Sequence, residues 1–216
     1  MTSIWDRLFG RGQPLPSAPA NDGVEAVLAD VRQRVDWDVA AGFYEAEDIV
    51  RGAVDYVSDE LPAAEVEPHA RRFLAEALAA QMKEQESWPA STDCDRLDAA
   101  FAALERGGIV ARQNFTCCGT CGSYEIWDEI KAFQEGGRRA YGYVFYHMQD
   151  TEAAVDGGGL FLNYGACEEG EEPAIATGRA IVAELERHGL QTDWDGSWEK
   201  RIGVALDWKR RRRASP

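Results

Sequence analysis

An α/β or α+β fold is what this sequence predicts, with an N-terminal helical region leading into a mixed sheet that has helices packed on it. Three observations carry the prediction. Apolar residues recur at helical spacing from Val24 to Gly107, short β-rich segments alternate with helical ones after Gly108, and glycine or proline marks several of the boundaries.

Taken in order, Ile4, Trp5, Leu8 and Phe9 fall on one face of a short helix, and Gly10 to Gly23, with Pro14, Pro16 and Pro19, reads as a linker. Val24, Val27, Leu28 and Val31 begin a helix, and a second runs from Ala46 to Leu61 until Pro62 stops it. Pro68 stands near the start of a third, whose apolar face is Phe73, Leu74, Ala77, Leu78 and Met82 and which ends before Trp88-Pro89. Ser91-Thr92-Asp93 caps a fourth helix, with Leu97, Ala100, Phe101 and Leu104 as its buried stripe and Gly107-Gly108 at its end. The second half reads as strand Ile109 to Phe115, helix Ser123 to Gln134, strand Ala140 to His147, short helix Thr151 to Val155 and strand Leu160 to Tyr164. A helix opened by Pro173 then runs to Gly189, and Arg201 to Trp208 alternates as a closing strand. The implied organisation is an arm and linker over 1–23, a helical region over 24–108, a sheet domain over 109–208 and a basic tail over 209–216.

Charge narrows the function classes. The chain has 38 acidic and 23 basic residues, and five of the basic ones are Lys209 to Arg213. A body this acidic repels phosphate backbones, so no nucleic acid is expected to bind through the main fold; the tail reads as a solvated terminus that offsets part of the negative charge, the alternative being that the tail alone binds polyanions. No apolar run approaches the roughly 20 residues of a membrane-spanning helix, and Asp6 and Arg7 interrupt any secretory core, which together predict a cytoplasmic protein with no membrane span. The excess of arginine over lysine, with abundant alanine and glycine, suggests a GC-rich bacterial source.

Five cysteines, three of them within Cys117 to Cys121, fit a reducing compartment in which such clusters are metal ligands or redox groups. Cys118-Gly119-Thr120-Cys121-Gly122 has the form of a zinc knuckle, whose spacing lets two thiolates reach one ion. One pair is half a structural site, so Cys117 and Cys167 are the further candidate ligands, with His147 and Cys94 behind them. The same pair, set between a strand and a helix start, also suits dithiol exchange, because a helix N-terminus favours the thiolate. A third arrangement takes one of Cys117, Cys118 and Cys121 as nucleophile, His147 as base, Asp150 or Gln149 as its orienter and Gln113 as an oxyanion donor. Against all three stands plain packing of small thiols at a turn. Cys94, in the capping segment of the fourth helix, is expected to be inert. Trp127, Tyr141, Tyr143, Phe145 and Phe161 read as core, and Glu168 to Glu172 as a solvated loop that lacks the spacing of a calcium site.

The segment Asn114-Phe115-Thr116-Cys117-Cys118-Gly119-Thr120-Cys121-Gly122, together with Tyr146 to Thr151 and Gly159 to Gly165, resembles an uncharacterised bacterial, actinobacterial-type family known as a domain of unknown function. The resemblance spans about half the chain, from Ile109 to Arg211, and implies no activity or residue role. The expectation is therefore a bacterial binding or regulatory module with a cysteine-based metal or redox site, zinc being the candidate cofactor and a protein the candidate partner. The alternative is a thiol-dependent enzyme or dithiol oxidoreductase using Cys118 and Cys121.

Overall fold

The structure, a computed structural model, describes residues 20–212, with side chains from Gly23 onward. The helix expected at Ile4 to Phe9, most of the proposed linker and the tail beyond Arg212 lie outside the described residues. The described residues form seven helices and a five-stranded mixed sheet, as the alternation of apolar spacing requires.

Three helices come first: α1 (Ala20–Ala41), α2 (Ala46–Tyr56) and α3 (Ala63–Gln85). They share a core of their own built on Val31, Val35, Ile49, Val50, Val66, Ala70 and Phe73. α1 begins at Ala20, so the expected linker is shorter than its prolines and glycine suggest. Pro68 sits inside α3 rather than at its start, because Pro62 already occupies the N-cap. A proline five residues past the first helical position forfeits one backbone bond, a cost of about 3 kcal/mol that burial of Val66, Ala70 and Phe73 on either side offsets.

α4 (Asp93–Arg106) is capped by Thr92, whose hydroxyl accepts from the Asp95 amide at 3.2 Å while the Asp95 carboxylate accepts from the Thr92 amide at 2.8 Å. The sheet then follows as β1 (Ile109–Arg112), α5 (Gly119–Glu135), β2 (Gly142–Phe145), α6 (Met148–Val155), β3 (Leu160–Ala166), α7 (Glu171–Arg187), β4 (Gln191–Asp193) and β5 (Ile202–Ala205). Strand order is β1-β2-β3-β5-β4. β1 and β2 are parallel with α5 as their crossover, while β2–β3, β3–β5 and β4–β5 are antiparallel. The short β4 had no separate signal, since Gln191-Thr192-Asp193 is neither apolar nor alternating about a buried face.

The period of two along β2 divides the core. Val144 and Tyr146 face α4 and α7, joining Leu97, Phe101, Leu160, Leu162, Ile181, Leu185 and Ile202. Tyr143 and Phe145 face the other way, against Val110 and the α5 residues Ile126, Ile130 and Phe133. Of the aromatic residues expected in the core, Phe145 is fully buried, but Trp127, Tyr141 and Phe161 are about half exposed, at 49%, 51% and 44%. One helix is too narrow to cover that whole face of the sheet, so its flank and the far end of β3 are left open.

The tail differs most from the solvated terminus expected of it. Residues 209–212 fold back across the helical region instead of extending into solvent. The Arg210 guanidinium pairs with Asp98 at 2.7 and 3.0 Å, donates to Gln113 Oε1 at 2.8 Å and stacks 4.3 Å from the Phe43 ring. Arg212 donates to the carbonyls of Asp38, Val39 and Tyr44 at 2.9, 2.9 and 3.0 Å. α1 has no basic residue in its own last turn, and Arg212 supplies the positive charge that its C-terminal carbonyls attract. No helix of the described residues is long and apolar enough to cross a membrane.

Candidate functional site

The site lies where the chain leaves β1 and turns into α5. Two residues of that turn, Asn114 and Thr116, adopt left-handed backbone angles, with φ of 48° and 58°. Asparagine tolerates this region, but a β-branched threonine does so at a cost of order 1–3 kcal/mol, which persists only where neighbours enforce it. They do so here. Asn114 donates to the Tyr44 hydroxyl at 2.8 Å and accepts from the Thr151 hydroxyl at 2.8 Å, while the Phe115 and Met148 amides bond the Tyr146 and Thr116 carbonyls at 2.8 and 3.1 Å. The turn is thus tied to the helical region, to β2 and to α6.

The consequence is a fixed thiol cluster. α5 starts at Gly119, four residues before the expected Ser123, which puts Cys118 at the N-cap and Cys121 in the first turn. Gly122 makes that placement possible, because a side chain there would run into the Phe145 ring on β2. Cys117, Cys118 and Cys121 bring their sulfurs within 4.8 Å of one another, and Cys117 and Cys121 approach to 3.5 Å. Zinc–sulfur bonds of about 2.3 Å set tetrahedral thiolates roughly 3.8 Å apart, so these three residues could hold a metal ion. All five cysteines are free thiols.

Their acidities diverge. The Cys121 amide, the neighbouring Cys121 and Cys117 thiols and the Thr120 amide favour a thiolate at Cys118 and lower its pKa. Cys121 is pushed the other way, up to about 11, because Cys117 and Cys118 hold its proton and would repel a second negative charge.

The other candidates stand outside the group of three sulfurs. Cys167 follows β3, its thiol pushed up by burial, and lines a shallow cavity with Trp127, Tyr143, Tyr164 and Trp198, outside the thiol group. Cys94 is buried in α4, with its pKa raised to about 12 by desolvation. Gln113, considered as an oxyanion donor, accepts from the Tyr146 hydroxyl at 2.7 Å and from Arg210. His147 is the N-cap of α6: its Nδ1 accepts from the Asp150 amide at 3.3 Å, and the Asp150 carboxylate accepts from the His147 amide at 3.1 Å and lies 3.0 Å from Nε2. Burial lowers the His147 pKa against the pull of Asp150. With Nδ1 spent on a helix cap and the carboxylate shared with Arg201 at 2.7 Å, His147 and Asp150 have a structural occupation that the spacing alone did not reveal.

Sequence reasoning missed Asn163 and Arg201, which join this polar group. Asn163 Oδ1 and His147 Nε2 both lie within 4 Å of where a side chain on Gly119 would begin, so the cysteine-bearing turn rests directly on them. Arg201 reads in the sequence only as the first residue of a strand, and no local pattern announces its partner Asp150, 51 positions away.

The chain matches the family described as "Domain of unknown function (DUF6891)" over residues 24–212. No curated protein and no solved structure matches it.

Proposed function

The chain belongs to the DUF6891 family of domains of unknown function, and we propose from the geometry of its thiol cluster that it is a cytoplasmic metal-binding or metal-regulated module whose ion is held by Cys117, Cys118 and Cys121. The observation that carries this reading is the convergence of three sulfurs, within 4.8 Å of one another, on a surface turn held rigid from three sides. Three thiolates favour a thiophilic ion such as Zn²⁺ and leave a fourth coordination position for water, a small ligand or a side chain from a partner protein. A bound cation also removes the repulsion that keeps the Cys121 proton in place, so binding releases protons and weakens as pH falls.

Zinc analysis of protein purified under reducing conditions is expected to give one ion per chain, and cobalt substitution to give thiolate-to-metal charge-transfer absorption. Cys121→Ser should reduce metal affinity at least about 10-fold, whereas Cys94→Ser and Cys167→Ser should leave it unchanged. Wild-type protein without stoichiometric zinc or cobalt charge transfer would overturn the reading.

Cys118 at the N-cap of α5, with Cys121 in its first turn and of opposite acidity, favours dithiol exchange as the second reading. The Cys118 thiolate would attack a disulfide and release one thiolate; Cys121, losing its proton to solvent, would then displace the other sulfur and close the Cys118–Cys121 disulfide. Metal-free protein would in that case show one fast thiol, lost in Cys118→Ser, and a measurable dithiol potential.

A further inference from the structure

The groove between α1 and α3 lies on the side of the molecule crossed by the C-terminal segment. It has a volume of about 340 Å³, within the range of small-molecule sites, and its walls are Val39, Ala40, Ala77, Ala80, Trp88 and Trp208. Its polar groups are Asp36, Gln81 and Glu84.

Gln81 is the unusual member. It is only 8% exposed, and its Oε1 is shielded from solvent with no hydrogen-bond partner among the described residues. The amide nitrogen donates to the Arg210 carbonyl at 3.3 Å, which fixes which end of the amide is left over. An unpaired buried acceptor costs about 1–3 kcal/mol, and a turn about the soft terminal torsion, which gives up the long 3.3 Å bond to Arg210, brings it toward the groove that Gln81 lines. Trp208 contributes no free donor, since its indole N–H is spent on the Ala40 carbonyl at 3.1 Å. What Gln81, Asp36 and Glu84 offer a ligand is acceptor capacity and negative charge.

The nearby cations, Arg32 beside Asp36 among them, each have a carboxylate partner outside the groove. Arg210 and Arg211 lie 5.6 and 5.9 Å from the Trp208 and Trp88 rings, but Arg210 is paired with Asp98 and Arg211 with Asp95, at 2.7 and 2.9 Å. Arg32 on α1 is paired with Glu76 at 2.7 Å. The net charge of −15 adds a long-range field that draws cations and repels anions.

We infer that this groove binds a small organic ammonium ion, an amine with an apolar body, whose N–H groups meet Gln81 Oε1 and the Asp36 carboxylate while its body lies between Trp88, Trp208 and the alanines of α1 and α3. Two indole walls suit such a ligand because they give its apolar body broad contact, while the acidic groups of the groove take its charge. This inference is independent of the thiol cluster.

The test uses the full chain and 2-phenylethylamine as the probe, read by nitrogen-edited NMR at the Trp88 and Trp208 indole N–H groups and the Gln81 side-chain amide. Saturable shifts at these groups are expected, with a Kd on the order of 1 mM for a probe of this size. Gln81→Met should weaken binding about 5- to 10-fold, and Asp36→Asn about 5-fold at low salt. Asp36 is exposed, so the second variant keeps the test valid if the first does not fold. Equal binding of neutral 2-phenylethanol would overturn the assignment to a cation. Absence of saturable shifts at Trp88 and Trp208, or unchanged affinity in both variants, would overturn the site.

Discussion

At the scale of single residues, His147 shows how one side chain acquires a role from its surroundings. The imidazole caps α6 and is nine-tenths buried, and desolvation lowers its pKa below the ordinary 6.5. The folded chain therefore prefers neutral histidine, and the unfolded chain binds more protons as pH drops through 6.5. Its contribution to stability is fully present above that value and is lost as pH falls below it toward the folded pKa. A urea midpoint measured from pH 7.5 to pH 5 should fall in the wild type, and the fall should be shallower in His147→Asn, where the amide oxygen keeps the cap without titrating. An identical slope in the two proteins would remove His147 as the source.

At the scale of elements, the start of α5 depends on one close approach. Gly122 lets the first turn settle against Phe145, and that contact sets where Cys118 and Cys121 fall relative to the turn held by Asn114 and Thr116. Gly122→Ala gains helix propensity of about 1 kcal/mol but forces a methyl into the ring, an overpacking cost of about 1–3 kcal/mol. The net expectation is a lower melting temperature and a larger loss of metal affinity than of stability, because the turn must move away from the sheet. Calorimetry and cobalt titration of the same variant would separate the two; an unchanged cobalt affinity would show that the turn does not depend on this contact.

At the scale of the whole molecule, the C-terminal segment joins regions that are far apart in sequence. Arg210 bridges α4 and the β1 end through Asp98 and Gln113, and Arg212 reaches the carbonyls that end α1. Their guanidinium groups are committed inside the fold, so they do not form a free polyanion-binding tail. Truncation after Trp208 is expected to lower stability by about 1–3 kcal/mol, through the uncapped α1 and lost packing on Phe43, with little from the half-exposed Asp98. Neither the full chain nor the truncated one should bind duplex DNA at physiological salt, since the body carries 18 basic against 38 acidic residues over 1–208. A fluorescence-anisotropy titration checks the second statement and thermal melting the first; salt-sensitive binding by the truncated chain would sink the charge argument.

Elements whose signals are local were legible along the chain. Apolar spacing placed α4, α7 and the start of α2, which ends at Tyr56 and not at the expected Leu61; the Thr92 cap marked a helix start, and the Tyr-Val alternation announced β2, because each depends on side chains that are neighbours along the chain. The C-x-x-C spacing likewise marked Cys118 and Cys121 as a pair, because both lie on one helical turn. Everything that depends on two distant segments meeting took its form only in the folded chain. The left-handed turn that brings Cys117 to the pair is held from Tyr44 and Thr151, and Cys167 is carried away from it by the length of β3. Asp150 is claimed by Arg201, and the arginines of the tail are drawn onto carbonyls and carboxylates of helices more than a hundred positions earlier. Such contacts leave no periodicity in the sequence, because their energy comes from satisfying buried charges and orphaned carbonyls wherever the fold happens to leave them.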